Sequence, residues 1–359
     1  EYQVSVYKTA TELEGDFWHA MNRYCGTLMY SGMWLATYKL ISIIKREKPD
    51  VVNLHCINGY MVNVYNLLKF LGQNNIKTVV TNHAEFLYTG SCGHAYDCMR
   101  WSSNPGCGNC PILKEASGTN LIDKTAKAWL KMKEAYSYHS KDNLLFTAVS
   151  PWVKSRLKQS PITNYFDCVV IENGLNESIF HPYIREKGKD KPFVFHVTAI
   201  FSTEKNSLKG GWYIAELARR MPNLKFIVAC GYLGKCEKIP SNLQLLGRVS
   251  DQQELAKLYS NATLTVISSK RETFSMVTAE SLCCGTPVVG FKAGGPESIA
   301  LKEYSTFVEY GDIDALQSAI EIALQTKYDC QAISKVARRR YSSVYMGHKY
   351  IDVYKQILK

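Results

Sequence analysis

The run Lys270-Arg271-Glu272-Thr273-Phe274-Ser275-Met276-Val277-Thr278-Ala279-Glu280 constrains this chain more than any other stretch. Before it, residues 262–267 alternate threonine with apolar side chains, the pattern of a buried strand. After it, residues 277–283 carry a helical pattern that Gly285 closes. Strand, short polar turn and helix together aim unused backbone N–H groups at one point, which is a ready anion site. Glu272 stands at the helix entrance and Glu280 roughly two turns further on. An anion cradle beside two hydroxyl-seeking carboxylates suits a ligand that is part phosphate and part polyol, as a nucleotide sugar is.

The next strand, residues 287–291, leads into Ala293-Gly294-Gly295-Pro296-Glu297. Glycines at the carboxyl end of a parallel strand let backbone come close to a ligand, where open α/β sheets bind theirs. From Glu272 to Glu297 the chain resembles the donor-site signature of retaining glycosyltransferases of the GT-B fold, family 4 in particular. Glu272 and Glu280 fill the family's E-x7-E motif, and the G-x-P-V-V segment and the glycine pair Gly294-Gly295 before Glu297 follow at family spacing. The resemblance implies an α/β chain of two Rossmann-like, doubly wound domains facing each other across a cleft.

Length agrees, since 359 residues suit two domains better than one. The order of the elements agrees too. Strands are expected at 2–7, 49–55, 78–83, 145–149 and 168–171, with helices at 28–45 and 64–72 between them. The segment from Glu172 to Pro182 resembles the family's passage between domains, and residues 187–192 read as the linker. A second unit follows, with strands at 193–197, 225–229, 243–246, 262–267, 286–291 and 305–309 and helices at 212–220, 252–260, 277–283 and 313–325. The expected division is an acceptor-side domain at 1–182, a nucleotide-sugar domain at 193–328 and a closing helix over 329–359 that packs back on the first. Nothing early in the chain corresponds to the family's first strand and glycine-rich loop, so either an N-terminal stretch precedes residue 1, the expected case, or that loop has been replaced.

The formal charge of +11 favours anionic partners: nucleotide phosphates, an acidic lipid surface or nucleic acid. Nucleic acid is set aside, because no basic arm, zinc-finger spacing or RNA-binding aromatic motif is present. No run of about twenty apolar residues spans a bilayer. Residues 28–44 read as an amphipathic helix, packed on a sheet or lying in a membrane interface. Lys124, Lys127 and Lys131 share one helical face near Trp129, Leu130 and Met132, which is either an ordinary solvated face or a contact for anionic lipid. The expected setting is the cytoplasm, with peripheral contact at the inner face of the cytoplasmic membrane.

The resemblance also suggests roles. Ser207-Leu208-Lys209-Gly210-Gly211 is similar to the family's K-G element, whose lysine meets the donor diphosphate. The family's earlier G-R arginine has no counterpart, since Ala199-Ile200-Phe201 stands there. Lys209 then faces the leaving diphosphate alone, helped by backbone N–H groups around Phe274, Ser275 and Met276. A preorganised donor of this kind is commonly worth roughly 3–4 kcal/mol of barrier. Glu272 would orient the donor sugar, Glu280 would hold the ribose hydroxyls, and Arg248 would add a diphosphate or base contact. His83 matches the family's first-domain histidine, with His55 as a further acceptor contact. Catalytic assignments fall on Glu272, Lys209 and His83, and no D-x-D pair implies a catalytic metal.

Of twelve cysteines, Cys168, Cys230, Cys283 and Cys284 read as small core residues. Cys92, Cys98, Cys107 and Cys110 cluster in an insert over 90–111, and the Cys107-x-x-Cys110 spacing fits a structural zinc. Two disulfides or free thiols are the alternatives. A similar cysteine-rich insert occurs in some polysaccharide-assembly members of family 4. The implied function is transfer of a sugar from a nucleotide donor, a UDP-sugar, to a glycan or lipid-linked glycan in capsule, exopolysaccharide or O-antigen assembly. A non-catalytic glycan-binding partner and a nucleotide-sugar epimerase are the rivals.

Overall fold

Short apolar strands that read as buried on both faces call for parallel sheets covered by helices, and two such sheets form. The computed structural model describes residues 4–118, 121–184 and 192–359. The chain divides into two units, residues 1–171 with 350–359, and residues 172–349.

The first unit holds β1 (Val52–His55), β2 (Thr78–Asn82), β3 (Leu144–Ala148) and β4 (Asp167–Val170), all parallel and in the order β1-β2-β3-β4. Every residue of β2 and β3 is buried. Helices at Val64–Gln73 and Thr125–Tyr136 cover the sheet with Leu67, Leu68, Leu71, Trp129, Met132 and Tyr136. Burial of Trp129 and Met132 leaves only Leu130 of that apolar trio exposed beside the three lysines. The Ser343–Ile357 helix reaches this sheet: Asn53 Nδ2 donates to the Tyr354 hydroxyl at 2.7 Å.

The second unit is a six-stranded parallel sheet in the order β10-β9-β8-β5-β6-β7. Its strands are β5 (Phe193–Phe201), β6 (Lys225–Leu233), β7 (Leu243–Gly247), β8 (Leu264–Ile267), β9 (Val288–Phe291) and β10 (Ser305–Val308). On one face the Gly211–Arg220 and Ile313–Gln325 helices bury Ile214, Leu217, Leu316 and Ile320 against Phe226, Val228, Val266 and Phe291. The Cys330–Arg340 helix lies along the Met276–Cys283 helix, where Ser334 Oγ donates to the Cys283 carbonyl at 2.6 Å. Among the described residues no helix is long and apolar enough to cross a membrane.

Four local expectations change. The strand expected at 2–7 does not form over its described part: Val4 and Val6 are 80% and 88% exposed and meet no neighbouring strand. Alternation without a sheet edge to join gives no strand. The helix expected over 28–45 begins only at Trp34 and runs to Glu47, because Met33, at φ 60°, lies in the left-handed region. The single closing helix is two, Cys330–Arg340 and Ser343–Ile357. Between them Leu175 N–H donates to the Tyr341 carbonyl (2.7 Å) and Ser343 N–H to the Leu175 carbonyl (3.1 Å), so pairing with Leu175 replaces a helical turn. The polar segment ahead of residue 28 contains a helix, Glu12–Cys25, which Thr11 caps. The expected linker at 187–192 lies, apart from Pro192, outside the described residues.

Candidate functional site

In the second sheet β6 and β7 extend to one side of β5, while β8, β9 and β10 extend to the other. Strand order therefore reverses between β5 and β8, the switch point at which open α/β sheets take ligands beyond their carboxyl ends. A cavity of about 200 Å³ opens there, lined by His196 and Thr198 of β5, Ile267 of β8, Lys209, Glu272 and residues 275–277.

Two loops are pinned together to make it. Ser268 Oγ donates to the Lys209 carbonyl at 3.0 Å, and Lys270 N–H donates to the Leu208 carbonyl at 2.9 Å. Gly210 sits at φ 70°, and a Cβ there would lie 2.0 Å from the Ser268 carbonyl oxygen. Only glycine allows so close a seam. It delivers Lys209 Nζ to Glu272 Oε1 at 2.7 Å, an ion pair still partly open to solvent.

The backbone of Glu272 is held from behind. Its N–H donates to the Ala293 carbonyl (3.0 Å), and Gly295 N–H donates to its own carbonyl (2.8 Å). The Glu297 carboxylate accepts from Ala293 N–H (3.0 Å) and Gly294 N–H (2.7 Å). A Cβ on Gly295 would come within 2.5 Å of the Phe274 nitrogen. The close approach that Gly295 permits is to the Glu272 loop.

Ser275, at φ 78°, caps the Met276–Cys283 helix, its Oγ accepting from Thr278 N–H at 3.2 Å. The helix makes no use of the Met276 and Val277 N–H groups in its first turn, and both residues line the cavity. The Phe274 side chain points away, buried edge-on against Tyr341. Glu280 keeps part of its surface open but packs its carboxyl against the protein. Burial pushes it up to about 7, partly offset by the Tyr259 hydroxyl that donates to Oε2 at 2.9 Å.

Sequence reasoning passed over His196. Its Nδ1 lies 2.9 Å from the Val266 carbonyl and so carries the proton, while the buried Nε2 has no partner. Burial, with the nearby Lys209 charge, holds this imidazole down to about 4. It presents a neutral acceptor in the cavity wall. The available signal was a lone polar side chain inside the apolar run Phe193-Val194-Phe195.

Other expected residues stand elsewhere. Arg248 is exposed in the loop after the edge strand β7 and does not line the cavity. His55 and His83 belong to the first unit, where His55 Nδ1 and His83 Nε2 are 3.0 Å apart. Register places His55, Thr81 and Thr147 in one row across β1, β2 and β3. Hydrogen bonds follow that row, from Thr147 Oγ1 to Thr81 Oγ1 (2.8 Å) and on to His55 Nε2 (3.3 Å), with the Tyr350 hydroxyl 3.3 Å from Thr81. Burial lowers both imidazoles, His83 to about 4 with help from His55.

Cys92, Cys98, Cys107 and Cys110 are free thiols. Burial raises Cys92, Cys107 and Cys110, and each is also disfavoured as a thiolate by its neighbours in the cluster. Among the described residues no three His, Cys, Asp or Glu side chains stand in metal-holding geometry. As placed, these thiols do not form a ligand set.

Two parallel α/β sheets, together with the glycosyltransferases among the structural neighbours, give the GT-B class of fold. Residues 213–340 match the family model described as glycosyl transferases group 1, a span that includes Glu272 and Glu280. Over 337 residues the chain is 20% identical to the putative colanic acid biosynthesis glycosyl transferase WcaC of Escherichia coli (strain K12), covering 88% of this chain and 78% of that one. It is 26% identical over 182 residues to the D-inositol 3-phosphate glycosyltransferase of Mycobacterium marinum, spanning 45% of this chain and only 38% of that relative. Among solved structures, HepE of Anabaena in complex with UDP superposes with a TM-score of 0.59 at 14% identity, over 89% of this chain and 82% of HepE.

Proposed function

We propose that the chain is a retaining glycosyltransferase that moves a sugar from a UDP-sugar to a glycan or lipid-linked glycan acceptor in cell-surface polysaccharide assembly. The observation that carries this reading is the Lys209–Glu272 pair at the mouth of the Met276–Cys283 helix, at the β5/β8 switch point. The group 1 match over the same residues and the UDP held by HepE support it.

In this reading the donor diphosphate lies against the Met276 and Val277 N–H groups, where the helix dipole favours negative charge. Lys209 shares its ammonium between Glu272 and the diphosphate, so charge building on the leaving group meets a cation already in place. Glu272 accepts from sugar hydroxyls, and the bare Nε2 of His196 offers a second acceptor. Glu280 takes the ribose hydroxyls. His83 and His55 serve the acceptor side. No residue is assigned as a covalent nucleophile; the leaving phosphate helps take the acceptor proton, and the protein supplies position and electrostatics. For the cysteine insert structural zinc stays a proposal, supported by the mutual proximity of Cys92, Cys98, Cys107 and Cys110. Exposed Trp34, Leu35 and Tyr38 on the Trp34–Glu47 helix support peripheral lipid contact.

The test is donor turnover with a panel of UDP- and GDP-sugars, with and without Glu272→Ala. Hydrolysis or transfer with a UDP-sugar, lost in the variant, is expected. Turnover that survives Glu272→Ala would overturn the site, and conversion to an isomeric donor sugar would replace the reading with an epimerase.

A further inference from the structure

A second cavity in residues 172–349, about 660 Å³ against 200 Å³ at the switch point, has no part in the reading above. It lies along the Cys330–Arg340 helix and the start of the Ser343–Ile357 helix, and Lys335, Arg338, Arg339, His348 and Glu177 line it. Three fixed cations face one carboxylate, so the walls carry a net charge of about +2 before His348 is counted.

Cations in the last turn of a helix often do no more than answer its dipole. Arg340 fits that account and is neutralised, its Nε donating to Glu172 Oε2 at 2.8 Å. The others do not. Among the described residues Lys335, Arg338 and Arg339 form no ion pair with any carboxylate. Lys335 also stands more than a turn before the helix end. Arg338 gives one N–H, from Nη2, to the Glu177 carbonyl at 3.3 Å, and its buried Nε has no acceptor. A groove whose wall holds three fixed cations against one carboxylate, with none of the three in an ion pair among the described residues, favours an anion brought from outside.

We propose that this groove is a second phosphate site, binding a phosphomonoester or pyrophosphate group independently of the switch-point cavity. A guanidinium matches the fork geometry of phosphate oxygens, and a dianion balances the charge of the walls. The room beyond one phosphate admits the body of a phosphorylated small molecule or a lipid headgroup. All of the residues that line the groove belong to the second unit.

The test titrates inorganic pyrophosphate into the full chain saturated with UDP, so that the switch-point cavity is already filled, with heat as the readout. One further pyrophosphate per chain is expected, bound at least about tenfold more weakly by Arg338→Gln/Arg339→Gln and unchanged in Lys209→Ala. Circular dichroism checks the fold of the double variant, and Lys335→Gln, at an exposed position, reports if it fails to fold. Absence of binding to the UDP-saturated wild type, or equal binding by the groove variants, overturns the proposal. Co-sedimentation with phosphatidic acid vesicles but not phosphatidylcholine vesicles, lost in the variants and competed by pyrophosphate, identifies a lipid headgroup. Pyrophosphate binding without vesicle retention identifies a free phosphate ester.

Discussion

Lowering the pH from 8 to 6 should weaken donor binding about tenfold and make binding release a proton, both through Glu280. Burial lifts the empty carboxyl to about 7, so at pH 6 about nine sites in ten are protonated. Ribose hydroxyls donate to a carboxylate far better than to an acid, so binding draws the group back toward its ordinary 4.5. Linkage then gives about 0.9 proton released per donor at pH 6 and about 0.1 at pH 8, with a loss of about 1.4 kcal/mol of affinity at the lower pH. Neighbours do not confuse the signal, because burial keeps Tyr259 and Cys284 neutral and His196 titrates only near 4. The assay is titration calorimetry with UDP-glucose, whose pyrophosphate diester stays ionised throughout, in two buffers of different ionisation heat. Glu280→Gln should abolish the release. The same raised value means that the folded chain holds a proton which the unfolded chain gives up between about 4.5 and 7. Stability should therefore fall as pH rises through that window, by at most about 3 kcal/mol and by less where solvent screens the carboxyl. No proton release from the wild type at pH 6, or equal release from Glu280→Gln, would refute the ribose contact.

Two other outcomes follow from the geometry. Gly210→Ala puts a methyl group at φ 70° against the Ser268 carbonyl and should cost about 1–3 kcal/mol in urea unfolding, with donor turnover falling as Lys209 is displaced; an unchanged midpoint and rate would show that the seam between the two loops does not place the lysine. For the cysteine insert, elemental analysis should find one zinc per chain, lost in Cys107→Ser/Cys110→Ser, and metal-free protein that folds normally would end the zinc proposal.

Much of the second unit was legible because its strands are apolar and punctuated. Residues 262–267, the turn at Glu272 and the helix after it declare themselves by period alone, and the structure moves their ends by only a residue or two. Side-chain destinations were less legible. Gly294 and Gly295 read as ligand-facing, yet the hydrogen bond that Gly295 makes goes to the Glu272 carbonyl, because a glycine pattern marks close approach without naming what approaches. His196 was hidden by its apolar neighbours. The break after Arg340 was invisible because its cause, Leu175, lies far away in sequence. The Glu12–Cys25 helix has a weak apolar stripe, and only its Thr11 cap signalled a start.

Residues 350–359 belong to the unit that holds β1 through β4. Tyr354 and Tyr350 supply hydroxyls to Asn53 and Thr81, at the base of the His55–His83 pair. Losing residues 350–359 would leave β1 through β10 in the chain, yet strip Thr81, in the row with His55 and Thr147, of the Tyr350 hydroxyl and Asn53 of its Tyr354 partner.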